Sequence, residues 1–117
     1  MLAHIVLFTP RADIAPGDRE RLANALSQAL AAIPSIRRCR LGKRVTYGFS
    51  YEQRVQEHYE YAAILEFDDA AGLEEYLKHG AHDEVSQRFW ATAEASSIYD
   101  FELLEGADEI ARLLGGA

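Results

Sequence analysis

The sequence is poor in several residue types, and each shortage excludes a class of protein. It has a single cysteine, Cys39, so an internal disulfide is impossible and a reducing compartment suits the chain. No apolar run approaches the roughly 20 residues of a membrane-spanning helix. The first ten residues hold a short apolar run without a basic segment before it or a small-residue cleavage site after it. We therefore do not expect a signal peptide.

Positive charge is also scarce, with 12 Lys and Arg against 19 Asp and Glu and a net charge of −7. Non-specific binding to nucleic acid needs a positive field, so we expect no nucleic-acid partner. The 117 residues suit one domain, and a hydrophobic share of 49% is enough for a two-layer core. The composition indicates a cytoplasmic protein that does not enter a membrane.

Hydrophobic patterns divide the first half of the chain into three elements. Residues 2–8 are nearly all apolar and rich in strand formers, which is typical of a central strand buried on both faces. A helix begins near Pro16, carries apolar residues at three- and four-residue spacing, and ends before Pro34. Residues 36–46 carry five cationic side chains. Such side chains discourage pairing at an open edge, so this segment is predicted to be an edge strand.

The second half repeats the alternation of strand and helix. A polar and aromatic connection over residues 47–57 leads to a third strand at 59–67. Asp68 and Asp69 are suited to cap a helix over 70–78. Gly80 is expected to interrupt this helix before another at 82–93, and a last strand is expected at 96–104. A short amphipathic helix is predicted within 106–116.

The order of strands and helices predicts an α+β, ferredoxin-like fold (βαββαβ), with an antiparallel sheet and helices on one face. The first and third strands are apolar on both faces, although the helices cover only one. Two sheets packed face to face in a homodimer, as a dimeric α/β barrel, would bury the second face. We expect residues 2–104 to form this domain and residues 105–117 to form a separate tail.

Side chains suited to catalysis are concentrated in one short stretch. Tyr76, His79 and His82 lie within seven residues of a chain that has only four histidines. A further histidine, His4, lies in the first strand, and strand alternation places one set of side chains from each strand on a common face. Asp100 lies on that face of the last strand. The predicted pocket lining consists of Val6, Phe8, Leu65, Phe67, His79, Trp90 and Ile98.

These residue types favour acid–base chemistry on a carbonyl compound, without a cofactor. His82 is the candidate base that removes a proton next to the carbonyl, since the pKa of histidine lies near neutrality. Tyr76 or His4 would hold the developing enolate oxygen, and Asp100 would orient one of the imidazoles. The alternative is structural, because a buried histidine and tyrosine that satisfy each other's hydrogen bonds would show the same pattern.

Two other groupings are weaker. His79 and His82 are three residues apart, closer than the usual helical metal pair, and no third strong ligand is evident, so we expect no metal. The basic stretch 37–44 could attract an anionic substrate, but a solvated strand face, or pairing with acidic residues across a dimer, is the more common role of such a stretch. Cys39 is interpreted as an ordinary strand residue.

Four segments resemble the stress-responsive dimeric α/β-barrel (Dabb) family: HIVLF at 4–8, AIPSI at 32–36, YLKHGAH at 76–82 and IYDF at 98–101. The resemblance implies a ferredoxin-like protomer that dimerises into a barrel. An enzyme related in kind, the plant olivetolic acid cyclase, closes a linear polyketide by aldol condensation without a cofactor. The likeness to it implies that His4, Tyr76 and His82 line an active site.

The sequence departs from that pattern at two positions. Gly80 stands where the family often has proline, and Leu26 stands where the plant cyclase has a tyrosine on the first helix. Two functions follow as hypotheses. One is a cofactor-free cyclase or isomerase acting on a carbonyl or polyketide-like compound. The other is a non-catalytic dimeric protein, related to stress or binding a small apolar ligand.

Overall fold

Four strands form one antiparallel sheet in the computed structural model, which describes residues 1–115. Strand β1 spans Leu2–Pro10, β2 spans Arg38–Lys43, β3 spans Tyr61–Phe67 and β4 spans Ala93–Glu102. Their spatial order is β2-β3-β1-β4, so β1 and β3 are the inner strands and β2 is an edge strand. This order agrees with the prediction, because the inner strands are the ones whose sequences are apolar on both faces.

Three helices cover one face of this sheet. Helix α1 spans Asp18–Ala32, α2 spans Ala70–Lys78 and α3 spans Gly80–Thr92. A fourth helix, α4, spans Ala107–Gly115 and has no buried residue. Within residues 1–115, no helix combines the length and the hydrophobicity that crossing a bilayer requires.

The strand register decides which side chains share a face of the sheet. His4 lies opposite Leu65 of β3 and opposite Asp100 of β4. Phe8 lies opposite Tyr61 and Ser96 in the same way. Because side chains alternate along a strand, these rows all face the helices.

The core lies between this face and helices α1 and α3. Its main cluster includes Ile33, Leu65 and Phe67, and a second cluster joins Phe8 to Phe89 of α3. The rings of Phe8 and Phe89 meet edge to face with their centroids 5.3 Å apart. The two clusters pack α1 and α3 against this face of the sheet.

The opposite face of the sheet has no covering layer in the described chain. Ile5, Leu7 and Ile64 are only partly buried there, and Tyr99 and Phe101 are 55% and 49% exposed. An apolar sheet face of this kind is unusual on an isolated protein.

The ferredoxin-like prediction is confirmed, and the differences concern the ends of elements. Strand β2 ends earlier than predicted because β3, the strand with which it pairs in the described part of the chain, begins at Tyr61, opposite Lys43. The predicted connection contains one 3₁₀ turn, Ser50–Arg54. Helix α3 begins at Gly80, two residues early. The predicted tail helix is present as α4, although Gly116, its predicted last residue, lies outside the described residues.

Candidate active site between the sheet and the helices

A cavity of about 540 Å³ lies between the sheet and helices α1 and α3. Its floor comes from the inner strands, through residues such as Val6, Ala63 and Leu65. Its roof comes from the apolar faces of the helices, including Leu22 and Phe89. The lining is mostly apolar, with a few polar groups at its ends, which is the usual composition of a small-molecule site.

His4 and Asp100 form a hydrogen-bonded pair at one end of the cavity. They are opposite each other on β1 and β4, and His4 Nδ1 lies 2.7 Å from Asp100 Oδ1. An ionised carboxylate can only accept a hydrogen bond, so Nδ1 of His4 carries the hydrogen and donates the hydrogen bond to Asp100. This leaves Nε2 of His4 as the nitrogen that is free to act, and it identifies His4 as the imidazole that Asp100 orients.

Tyr76 lies between the two histidines of the site. Its ring centroid is 6.0 Å from that of His4 and 4.6 Å from that of His82. Burial is the main cause that raises the pKa of Tyr76 to about 12. The phenol therefore stays protonated at neutral pH and can donate a hydrogen bond.

The pKa of His82 shifts in the direction that suits a base. Burial lowers it below the ordinary value of 6.5, and the charge that His4 carries when protonated lowers it further. The charge of Asp83 and a backbone hydrogen bond with Leu77 oppose these effects. At neutral pH the His82 imidazole is neutral, and one ring nitrogen can accept a proton.

His79 sets the turn that brings His82 into place. It ends α2 and caps α3, with φ −71° and ψ 143°, and its Nδ1 accepts a hydrogen bond from the Ala81 N–H at 3.0 Å. A side-chain acceptor at this position satisfies a backbone N–H that has no partner within the helix. His82 consequently falls in the first turn of α3, beside Tyr76.

The predicted pocket lining needs correction at two positions. His79 is not in the cavity wall, because its ring is used as the cap of α3. Phe67 is not there either, because it is completely buried in the main core cluster beneath Tyr76, at a centroid distance of 5.5 Å. The structure places the other nine predicted site residues around the cavity: His4, Val6, Phe8, Leu65, Tyr76, His82, Trp90, Ile98 and Asp100.

Four polar residues of the cavity wall were not predicted from the sequence: Arg19, Tyr61 and Thr92 at the other end, and Ser86, which lies between His82 and Thr92 on α3. The sequence contained a signal for Tyr61, because Tyr61, Ala63 and Leu65 occupy alternate positions of one strand and therefore share a face. Arg19 had a weaker one, three residues before Leu22 on one helix face. For Thr92 there was no signal, because a threonine at a helix end is usually exposed.

The other polar groupings have ordinary explanations within the chain. No group of three or more His, Cys, Asp or Glu side chains in residues 1–115 is arranged to hold a metal. Burial raises the pKa of Cys39, which keeps it a thiol. The basic stretch pairs with nearby acids, and Arg37 lies 2.8 Å from Asp68.

The chain matches the stress responsive A/B barrel domain (Dabb) family over residues 2–103, and it belongs to that family. No protein of curated function matches the sequence.

Solved structures of several organisms share the fold. A protein of Arabidopsis thaliana is 18% identical, with a TM-score of 0.74 over 92% of this chain and 99% of that one. A dimeric ferredoxin-like protein of unknown function from Thermobifida fusca is 24% identical, with a TM-score of 0.68 over 87% and 90%. A hydroxynitrile lyase from Passiflora edulis is 11% identical, with a TM-score of 0.76 over 91% and 95%. At these identities the likeness shows the fold alone.

Proposed function

We propose that this protein is a cofactor-free acid–base enzyme that removes a proton next to a carbonyl group, as a cyclase or isomerase does. One observation carries the proposal. His4, Tyr76 and His82 surround one end of an apolar cavity, and burial pushes the pKa values of Tyr76 and His82 apart. Two titratable groups that differ in this way can serve as a base and a hydrogen-bond donor at one pH.

The roles follow from these protonation states. His82 accepts the proton from the α-carbon, and the electrons of the broken C–H bond move onto the carbonyl oxygen. Tyr76 donates a hydrogen bond to the enolate oxygen as its charge develops. His4, oriented by Asp100 at 2.7 Å, offers Nε2 as a second polar contact at the same end.

Two outcomes of the enolate are consistent with this set of groups. In an isomerisation, protonated His82 returns its proton to another carbon of the same molecule. In an aldol cyclisation, the enolate carbon attacks a second carbonyl of the same molecule, and His82 gives its proton to the new alkoxide. Neither outcome needs an oxidant or reductant, and the apolar walls keep water away from the enolate.

The hydroxynitrile lyase from Passiflora edulis supports the enzymatic proposal only in a general way, because it is an enzyme with this fold. Its name describes a reaction on hydroxynitriles. The groups in this cavity are compatible with proton transfer at such a substrate.

A second candidate function is binding of a small apolar or carbonyl ligand without turnover. The observation in its favour is burial, since His4 is only 7% exposed and Tyr76 only 3% exposed. Rings covered to this extent can serve mainly to stabilise the core, with the remaining cavity acting as a passive pocket.

Hydrogen–deuterium exchange separates the two candidates. The α-protons of 2-octanone in D₂O would be followed by proton NMR with wild type, His82→Ala and, as a matched histidine control, the exposed His58→Ala. We expect wild type and His58→Ala to catalyse exchange equally and His82→Ala to slow it by at least about 100-fold. Absence of catalysed exchange in wild type, with His82→Ala mainly lowering the melting temperature, would favour the binding protein.

We also propose that the chain forms a homodimer through the uncovered face of its sheet. Similar structures from Thermobifida fusca and Bacteroides fragilis are described as dimeric, and both have ferredoxin-like folds. The face that carries Ile5, Leu7 and Tyr99 is apolar and lacks a covering layer in residues 1–115. Packing two such faces together would bury them and enclose a barrel.

A further inference from the structure

An exposed arginine borders the cavity at the end away from His4, and it has no carboxylate partner among residues 1–115. Arg19, in the first turn of α1, donates from Nη1 to the Tyr61 hydroxyl at 3.0 Å, and its guanidinium lies 6.0 Å from the centre of the Tyr61 ring. Among residues 1–115, no Asp or Glu oxygen comes within 4 Å of it. Arg19 also borders a surface depression with Glu60 and Glu94, but neither forms such a pair with it.

A second, independent observation points to the same end. Thr92, the last residue of α3, is 1% exposed, and its hydroxyl has no hydrogen-bond partner in the described part of the chain. Buried hydroxyls are nearly always satisfied, and this one is closed off from the cavity, so a ligand would contact it once the Thr92 side chain turns about χ1 to another staggered rotamer. Thr92 and Arg19 line the same cavity.

The register of the strands gives the distance between the two ends. His4 lies opposite Leu65, and Phe8 lies opposite Tyr61, so the ends are four residues apart along β1. At a rise of about 3.3 Å per residue, this is about 13 Å. Between them the floor is apolar, through Val6 and Ala63.

We propose that Arg19, Tyr61 and Thr92 form a carboxylate-binding subsite, and that the substrate is an oxo-acid whose carboxylate is separated from its reacting carbonyl by an apolar chain. Arg19 supplies the positive charge and the N–H donors, and the two hydroxyls supply further hydrogen bonds to the carboxylate oxygens. The apolar middle of the cavity holds the chain. The assignment of the carbonyl to the His82 end rests on the proposed function, whereas the carboxylate subsite does not.

The experiment compares two ligands of equal chain length, decanoate and 1-decanol, at pH 8. Trp90 is the only tryptophan and lines the cavity, so its fluorescence reports binding directly. We expect wild type to bind decanoate at least about tenfold more tightly than 1-decanol, since a hydrogen-bonded ionic contact is worth about one decade in affinity.

Variants locate the carboxylate. Arg19→Gln should abolish the preference for decanoate and leave 1-decanol binding unchanged. Arg11→Gln removes another arginine that has no acidic partner among residues 1–115 and that lies outside this cavity, and it should keep the preference. Thr92→Val keeps the shape of the side chain and should weaken decanoate binding a few-fold.

Two results would overturn the proposal. One is equal binding of decanoate and 1-decanol by wild type. The other is a preference that survives in Arg19→Gln, which would mean that the carboxylate binds at the imidazole end.

The binding measurement needs no turnover, so its result is separate from that of the exchange experiment. A preference for decanoate that depends on Arg19, found without catalysed exchange, would contradict the enzymatic function and support the carboxylate subsite. Catalysed exchange by a protein that shows no preference for decanoate would contradict the carboxylate subsite and support the enzymatic function.

Discussion

Burial beside one apolar cavity acts in opposite senses on two of the ionisable groups in its wall, Tyr76 and His82. It raises the pKa of Tyr76, because the phenolate is the charged form, and it lowers the pKa of His82, because the imidazolium is the charged form. The same loss of hydration thus keeps the phenol protonated and the imidazole neutral. This separation of roles requires no metal or cofactor.

The first prediction concerns the pH dependence of catalysis. The base must be neutral, so the rate of α-proton exchange should rise with pH and then reach a plateau. The midpoint of the rise should lie below pH 6.5, because burial lowers the pKa of His82 below the ordinary histidine value of 6.5. The plateau should continue to high pH, because the pKa of Tyr76 is about 12. Exchange rates of 2-octanone measured between pH 4.5 and 9 would check this. A midpoint above 6.5 would contradict the assignment of His82 as the base.

The second prediction concerns the unsatisfied hydroxyl of Thr92. Replacing it with valine keeps the shape and removes a buried polar atom without a partner. Thr92→Val should therefore raise the free energy of unfolding by about 1 kcal/mol, measured by urea denaturation without ligand.

Thr9→Val is the matched control for this change. The Thr9 hydroxyl donates to the His58 carbonyl and accepts from the Glu60 N–H, both at 3.1 Å. Its loss should lower stability by about 1 kcal/mol. Destabilisation by both substitutions would show that Thr92 is satisfied in solution.

At the scale of elements, the junction between α2 and α3 decides the geometry of the site. His79 belongs to neither helix, and its extended backbone turns the chain so that α3 begins at once with Gly80. Tyr76 therefore lies in the last turn of α2 and His82 in the first turn of α3, with their rings 4.6 Å apart. A continuous helix would have directed the two side chains to different parts of the sheet.

The third prediction uses this junction. Gly80 occupies the first position of α3, a Cβ there would meet no atom within 4 Å, and its φ is not positive. Proline is favoured at that position, and the extended backbone of His79 is what a residue before proline requires. Gly80→Pro should raise the free energy of unfolding by about 0.4–1 kcal/mol, because it restricts the unfolded chain.

Gly17 provides the contrast for Gly80→Pro. Its φ is +99°, which proline cannot adopt, so Gly17→Pro should lower stability. Thermal unfolding of both variants would test the pair. A loss of stability in Gly80→Pro would mean that the junction changes conformation in solution.

At the scale of the whole molecule, the protomer is more extended than a compact domain of its length. Its radius of gyration is 16.2 Å, compared with about 13 Å expected for 117 residues. The connection between β2 and β3 is exposed over nearly all of its length, and so is α4. Together with the uncovered sheet face, this indicates surfaces that a second copy would bury.

The fourth prediction tests the dimer. Tyr99→Asp introduces a charge on the uncovered face, opposite Ile5 of β1, where burial without a partner is costly. Analytical ultracentrifugation should show a dimer for wild type and a monomer for the variant. Leu30→Glu, which adds a charge to the exposed side of α1, should remain dimeric. A monomeric wild type would contradict the proposed interface.

The sequence by itself determined the fold, and it indicated the main residues of the candidate site. Strand and helix periodicities are local, and their order permits few arrangements, so the ferredoxin-like sheet could be predicted with its edge and inner strands. The spacing of Tyr76 and His82, and the position of His4 within an apolar strand, placed three polar groups above one face.

Only the tertiary structure decided how those groups are paired and what else shares their cavity. Asp100 contacts His4 because of a strand register between residues 96 positions apart, which alternation alone does not specify. Arg19 and Thr92 enter the cavity because α1 and α3 pack at a particular height over the sheet, and His79 leaves it because it caps a helix. The contacts of Asp100, Arg19 and Thr92 in the cavity are long-range, and no local pattern in the chain encodes them. The cap by His79 is local, because it joins His79 to Ala81.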